Sequence, residues 1–167
     1  MNDPPVGEPP EGEPPPGEPP WLSPPALAWV ERILASHQRA FGRPLLAGTG
    51  PPRDRRQAAQ ELFTAATVVL AHDGAADPRF VYANAAALRL WQRPWRQMVG
   101  LPSRLSAEPA WRAERATTLA LARQHQALRG YRGVRVDSRG RRFQIDGARL
   151  WSVGAGQAAC FADWHWL

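Results

Sequence analysis

The spacing of apolar positions along this chain changes repeatedly, and each change marks a new element. Leu27, Val30, Leu34 and Phe41 fall on one helical stripe. Ser23 is placed to cap it, the Pro24–Pro25 pair suits a first turn, and Gly42 then Pro44 supplies the stop, predicting a helix over residues 24–41. A second helix, over about 54–65, puts Ala58, Ala59, Leu62 and Phe63 on a shared face behind Asp54 as cap. The period then becomes strand-like. "TVVLAHD" is short and β-branched, "HDGAADPRF" carries Asp-Gly and Asp-Pro turn signals, and "FVYA" follows as a second strand. Asn84 stands where that strand meets the helix "NAAALRLW", a favoured N-cap position. Pro94 ends this helix and opens a short one, "WRQMV", which Gly100 and Pro102 stop. A longer helix with Pro109 in its first turn has Trp111, Leu119 and Leu128 among its apolar positions.

The rest alternates again. In "YRGVRVDSRGRRFQIDGARLW", Val134 and Val136 read as inward against outward arginines, the chain turns at Ser138-Arg139-Gly140, and Phe143 and Ile145 resume the inward face. Asp146-Gly147 suits a bulge, beyond which the pattern does not set the register. "GQAACFADWHW" reads as a last strand. Two strands, short helices, one longer helix and three strands make an α+β fold: a five-stranded antiparallel sheet with helices gathered on one face. At 167 residues, the chain is long enough for one domain with a proper core.

Composition changes this picture at one end. Residues 1–20, "MNDPPVGEPPEGEPPPGEPP", hold nine of the 18 prolines, five acids and no base. With almost nothing apolar to bury and few amide donors, residues 1–22 read as a disordered acidic tail ahead of a domain at 23–167. The full chain carries +6, so the remainder carries +11, all of its basic charge from arginine. A solvated arginine-rich surface is the plain explanation, and an anionic partner the sharper one. Cys160 is the only cysteine, which excludes an internal disulfide and fits a reducing compartment. No signal peptide or membrane-length apolar run is present, so the expected location is the cytoplasm, without membrane attachment.

The order of elements is that of the PAS fold, with "FVYAN", an Ala-rich helix and "MVGLP" at its signature positions. More narrowly, "AHDGAADPRFVYANAAALRLW", "LPSRLSAEP", "YRGVRVDSRGRRFQI" and "GQAACF" resemble the MEKHLA domain, over about residues 25–164 with a PAS-like core at about 66–164. The string that names the family is absent, since the chain has no lysine. The resemblance implies a sensory or interaction module with no established reaction. Such domains occur at the C-terminus of plant class III homeodomain–leucine-zipper factors and as stand-alone bacterial proteins. With no homeodomain or zipper upstream, this chain resembles the latter.

A PAS-like sheet curls around its helices, and Val69, Tyr82, Leu88, Leu105, Val134, Phe143 and Ile145, with Trp91 and Trp111 nearby, are the expected interior. These side chains either fill a plain core or surround a small, mostly apolar ligand oriented by a few polar groups. In the second case Tyr82, Asn84, Trp91, Arg104, Ser106, Glu108, Trp111 and Phe143 are the candidate ligand contacts. Asn84 reads first as a cap, and Arg104 first as a loop-fixing partner of Glu108 or else as a fork for a carboxylate or phosphate.

No catalytic set is visible, so the chain is not expected to be an enzyme. His37, His72, His125 and His165 are scattered without metal-ligand spacing, so no metal site is assigned and no cofactor is required. Cys160 reads as a buried inert thiol. The flavin-adduct cysteine of light-sensing PAS domains belongs on a helix in a different local sequence. The hairpin arginines 132, 135, 139, 141 and 142 lack interleaved aromatics beyond Tyr131, which disfavours nucleic acid. Two functions remain. One is a sensory or regulatory module that binds a small apolar ligand or signals through a protein interface. The alternative is a ligand-free interaction or dimerisation domain with a filled core, in which helix 24–41 and Trp29 meet a protein partner or a second copy.

Overall fold

The computed structural model describes residues 17–46 and 54–167. Helix α1 (Pro24–Phe41) starts where the Ser23 hydroxyl accepts from the Ala26 amide and ends at Gly42 in the left-handed region, φ 68°. Its most buried stripe is Ala26, Val30, Ile33, His37 and Phe41. Leu27 and Leu34, expected on that stripe, lie half-buried at its flank. Helix α2 (Arg55–Thr64) is capped by Asp54, which accepts from the Gln57 amide at 2.8 Å. Of the stretch assigned to the tail, residues 1–16 lie outside the described residues. Residues 17–22 lie against α2: Glu18 pairs with Arg56, and the Trp21 ring stacks on Phe63 at 3.7 Å.

Strands β1 (Val68–His72) and β2 (Phe80–Ala83) form a hairpin, followed by α3 (Ala85–Trp91), α4 (Trp95–Met98) and a 3₁₀ turn at Ser103–Ser106. The longer helix α5 (Pro109–His125) leads into β3 (Ala127–Val136), β4 (Arg142–Val153), β5 (Gly156–Phe161) and β6 (Asp163–Trp166). Leu128, expected on the helix, belongs to β3. The antiparallel order is β2-β1-β5-β4-β3. The run expected as one last strand breaks at Ala162. Its first part pairs with β4 at 149–153 and its second with β4 at 143–146, so β6 continues the line of β5 along the same edge.

Both faces of this sheet are covered. Val68 and Leu70 face the core formed with α3 and α4, while Val69 and Ala71 face the core under α1 and α2. Two-sided burial explains why β1 reads as a continuous apolar run and not as an alternation. The stripe of α1 is therefore covered by the chain's own sheet, and Trp29 is half-buried beneath Arg32 at 5.4 Å.

The bulge in β4 decides the later register. Phe143 and Ile145 point into the α3–α4 core; Gly147 then takes φ 66°, and Ala148 and Leu150 return to that same face. Trp151 consequently lands in the opposite core and donates from Nε1 to Ser36 Oγ at 2.9 Å.

On β3 the expected facing is reversed. Tyr131 and Arg135 are buried, whereas Val134 and Val136 are half-buried on the other face. Irregular pairing on both sides of Tyr131 changes the parity, so Tyr131, Gly133 and Arg135 stand opposite the inward Ala148, Ile145 and Phe143. Gly133 is required here: a Cβ would lie 2.1 Å from the Tyr131 hydroxyl oxygen, whose ring crosses it.

The core under α1 contains a titratable group. His37 is fully buried and donates from Nδ1 to the Arg43 carbonyl at 3.1 Å, leaving Nε2 without a partner among the described residues. Burial, followed by the charge of Arg149 and less by those of Arg43 and Arg129, lowers its pKa from 6.5 to about 4, against the opposing hydrogen bond to the Arg43 carbonyl. A pKa lowered by folding means that His37 stabilises the fold fully above pH 6.5 and that this contribution is lost as pH falls toward 4. Urea midpoints at pH 7.5 and pH 5 should show that loss, and His37→Gln should flatten it. An unchanged pH dependence in the variant would contradict the assignment.

Candidate ligand cavity

Helix α5 crosses the inner face of the sheet and leaves a cavity of about 50 Å³ between them. Leu70, Phe80, Leu150 and Phe161 are among its apolar lining residues, and His72, Trp91, Ser106, Arg115, Thr118, Tyr131, Arg135 and Gln157 are those with polar side chains. The volume admits a few waters or one small organic group.

The polar side of this wall is unusual in charge. Arg115 is the one fully buried residue described on α5, at 8% exposure, and Arg135 of β3 is equally buried at 8%. Arg135 donates to the Tyr131 hydroxyl and to the Val134 carbonyl, each at 2.8 Å. Burial, and next the neighbouring charge of Arg135, lowers the Arg115 pKa from 12.5 to about 10. Gln157 donates from Nε2 to the Leu119 carbonyl at 2.9 Å, tying α5 to β5, and its Oε1 is buried with no partner among the described residues. The Trp91 indole Nε1 is likewise buried without one.

Among the candidate ligand contacts expected from the sequence, the structure brings Trp91 and Ser106 to the cavity wall, and Ile145 of the expected interior joins them. Phe143 stands behind Trp91, ring centroids 5.0 Å apart. Ser106 donates to the Ser103 carbonyl at 2.7 Å. Tyr82 lies across the sheet, in the core under α1 and α2, where burial pushes its hydroxyl pKa far up and Trp95 meets its ring edge-on at 5.7 Å. Val69 shares that side, and Leu105 is exposed, so the interior expected from sequence mixes two faces. Asn84 caps α3 and bridges to β1. Trp111 is half-buried at the start of α5.

Arg104 and Glu108 do not pair with each other. Arg104 meets Asp77 at 3.1 Å and Glu108 meets Arg142 at 3.3 Å, both on exposed ground. Arg104→Ala should therefore cost under about 1 kcal/mol, the range of exposed ion pairs. Urea denaturation checks this, and a loss of several kcal/mol would give Arg104 a structural role that the geometry does not show.

Arg115, Tyr131, Arg135 and Gln157 were not legible as wall residues. For Arg115 a signal existed: it lies midway between Trp111 and Leu119 at helical spacing, on the inward stripe. For Arg135 there was none, because its facing depends on the β3 irregularities. Cys160 faces the core under α1, where Arg149 Nε donates to its Sγ at 3.3 Å and burial raises its pKa. It stands on a strand, across the sheet from the cavity, so a flavin-adduct role does not fit it, and about 50 Å³ does not hold a flavin ring system. Among the described residues no cluster of His, Cys, Asp or Glu is arranged to hold a metal ion. No helix among them is long and apolar enough to cross a membrane.

A five-stranded antiparallel sheet in the order 2-1-5-4-3, with short helices and one crossing helix around an interior cavity, defines a PAS-like domain. Within that class the chain belongs to the MEKHLA domain family, whose profile matches residues 27–166. Solved structures support the fold. An RNA-binding light-oxygen-voltage receptor aligns with TM-score 0.55 at 18% identity, covering 69% of this chain and 36% of its own. A PAS domain from Colwellia psychrerythraea aligns with TM-score 0.54 at 14% identity, covering 63% and 92%. A fungal light-oxygen-voltage photoreceptor domain aligns with TM-score 0.51 at 17% identity, covering 81% and 91%. The chain thus spans about a third of the first of these proteins. No curated protein matches it significantly.

Proposed function

We propose that this chain is a regulatory module that holds a small ligand in the cavity under α5 and reports its presence through a protein contact. The observation that supports this most is the cavity wall itself. Interior space lined by apolar side chains and by two residues, Gln157 and Trp91, whose Oε1 and Nε1 are buried without a partner among the described residues is poorly suited to a plain core, since each such atom costs stability when unsatisfied. A ligand with matching groups removes that cost. Occupancy would be felt by α5, because α5 contributes Arg115, Thr118 and Leu119 to the wall. The reading assigns no chemical step to the chain.

A second reading has its own observation. On β6, Trp164 and Trp166 are 37% and 43% exposed and Leu167 is 58% exposed, an apolar edge that suits a protein partner or a second copy. Native mass spectrometry of the purified full chain separates the two. A bound small molecule, with α5 amides slowed in hydrogen exchange when it is present, is the expected result. A ligand-free chain forming concentration-dependent dimers, with no small molecule protecting α5, would support the interaction domain instead.

A further inference from the structure

The pairing of the arginines across the chain is uneven. Arg55, Arg56, Arg104, Arg132, Arg141 and Arg142 each meet a carboxylate, and all six are substantially exposed. The two arginines buried at the cavity meet none. Among the described residues no Asp or Glu lines the cavity, Arg135 has only neutral partners, and Arg115 has no hydrogen bond or ion pair. Exposed arginines gain little from a counter-ion, whereas buried ones lose much without one. Two like charges from separate elements, α5 and β3, facing one small apolar-walled space are destabilising unless an anion joins them. The lowered proton affinity of Arg115 reflects burial first and the same repulsion second.

We propose that the cavity is a carboxylate site, in which Arg115 and Arg135 receive the carboxylate of a short organic acid and its carbon chain lies against the apolar wall. This deepens the ligand-binding reading and rests on it. Guanidinium forks match the two oxygens of a carboxylate. The apolar wall favours an organic acid over an inorganic anion, and the small volume favours one of few carbons. Gln157 Oε1 has no donor among the described residues, so an acid carrying a hydroxyl uses the cavity more fully than a plain one. Anion binding would also draw Arg115, and α5 with it, toward β3, which connects occupancy to the helix.

Lactate and its neutral isostere lactamide separate charge from shape, and calorimetry with the full chain reads both. Lactate should bind roughly tenfold or more tightly than lactamide, as expected for hydrogen bonds to charged groups. Arg115→Gln should cut that preference severalfold, leaving only what Arg135 supplies, without lowering the thermal midpoint of the ligand-free protein, because it removes one of two repelling charges. Arg115→Lys, which keeps the charge but not the fork, should weaken lactate binding while leaving some preference over lactamide. Equal binding of lactate and lactamide would overturn the carboxylate assignment and leave the ligand cavity standing. Inorganic phosphate binding as well as lactate would also overturn it. Failure of all three probes overturns the assignment as well; if native mass spectrometry then shows no other bound molecule, the ligand-binding reading falls with it.

Discussion

Trp91→Ala should lower stability by about 3–5 kcal/mol, the range for removing a large buried aromatic side chain. Trp91 is 1% exposed, closes α3, and meets Phe143 edge-on at 5.0 Å and Phe161 at 6.3 Å. Truncation would leave those two rings facing a void beside an existing cavity of about 50 Å³, so the surroundings have little with which to collapse. The backbone around it is anchored, which limits that collapse. The Trp91 carbonyl accepts from the Ser138 amide at 3.0 Å, and the Gln92 carbonyl accepts from the Ser138 hydroxyl at 2.7 Å, tying the β3–β4 turn to the end of α3. Urea denaturation measures the loss, and a value under about 1 kcal/mol would contradict the burial.

Asn84→Asp should cost about 3 kcal/mol or more at neutral pH, although only one atom changes its nature. The Asn84 side chain is wholly buried. Its Oδ1 accepts from the Val69 and Ala87 amides at 3.0 and 3.1 Å, and its Nδ2 donates to the carbonyls of Leu62, Ala65 and Thr67. One amide thus caps α3, starts β1 and holds the end of α2. A carboxylate would keep the first two bonds and turn a negative charge toward three carbonyl oxygens. Its pKa in the folded state would be raised above the unfolded value of about 3.9, because burial and those carbonyls favour the protonated form. The penalty should therefore shrink as pH falls toward 4 and grow as pH rises. Asn84→Ala should be destabilised with no such pH dependence. Urea denaturation across that pH range reads both variants, and an Asn84→Asp variant as stable as the parent at pH 7 would show that the Nδ2 bonds carry little.

Much of the scaffold was legible because it depends on local rules. Ser23, Asp54 and Asn84 were each readable as caps, and each cap accepts the expected amide, since capping involves atoms three residues apart. The Asp146-Gly147 bulge was readable for a similar reason: glycine adopts the left-handed backbone that the extra residue needs. Asn84 shows where that legibility stops. Its capping role followed from sequence position, while its bonds to Leu62, Ala65 and Thr67 span 17 to 22 residues and required the folded chain.

The site was less legible than the scaffold. Expecting apolar residues inside and arginines outside placed Val134 inward and Arg135 outward, and read Tyr82 into the same interior as Trp91. The first failed because strand parity is inherited from every irregularity before it, and β3 has two. The second could not be resolved because a sheet covered on both faces has two interiors, and β1 and β2 supply apolar side chains to each.

By itself the sequence determined the order of elements, their caps and stops, and the membership of the fold class, because periodicity and turn chemistry act over a few residues. Only the tertiary structure decided which interior each side chain enters. Two buried arginines from α5 and β3 meet at one cavity because the distant register of β3 on β4 and the crossing of α5 put them there. Neither is encoded in any short stretch of chain.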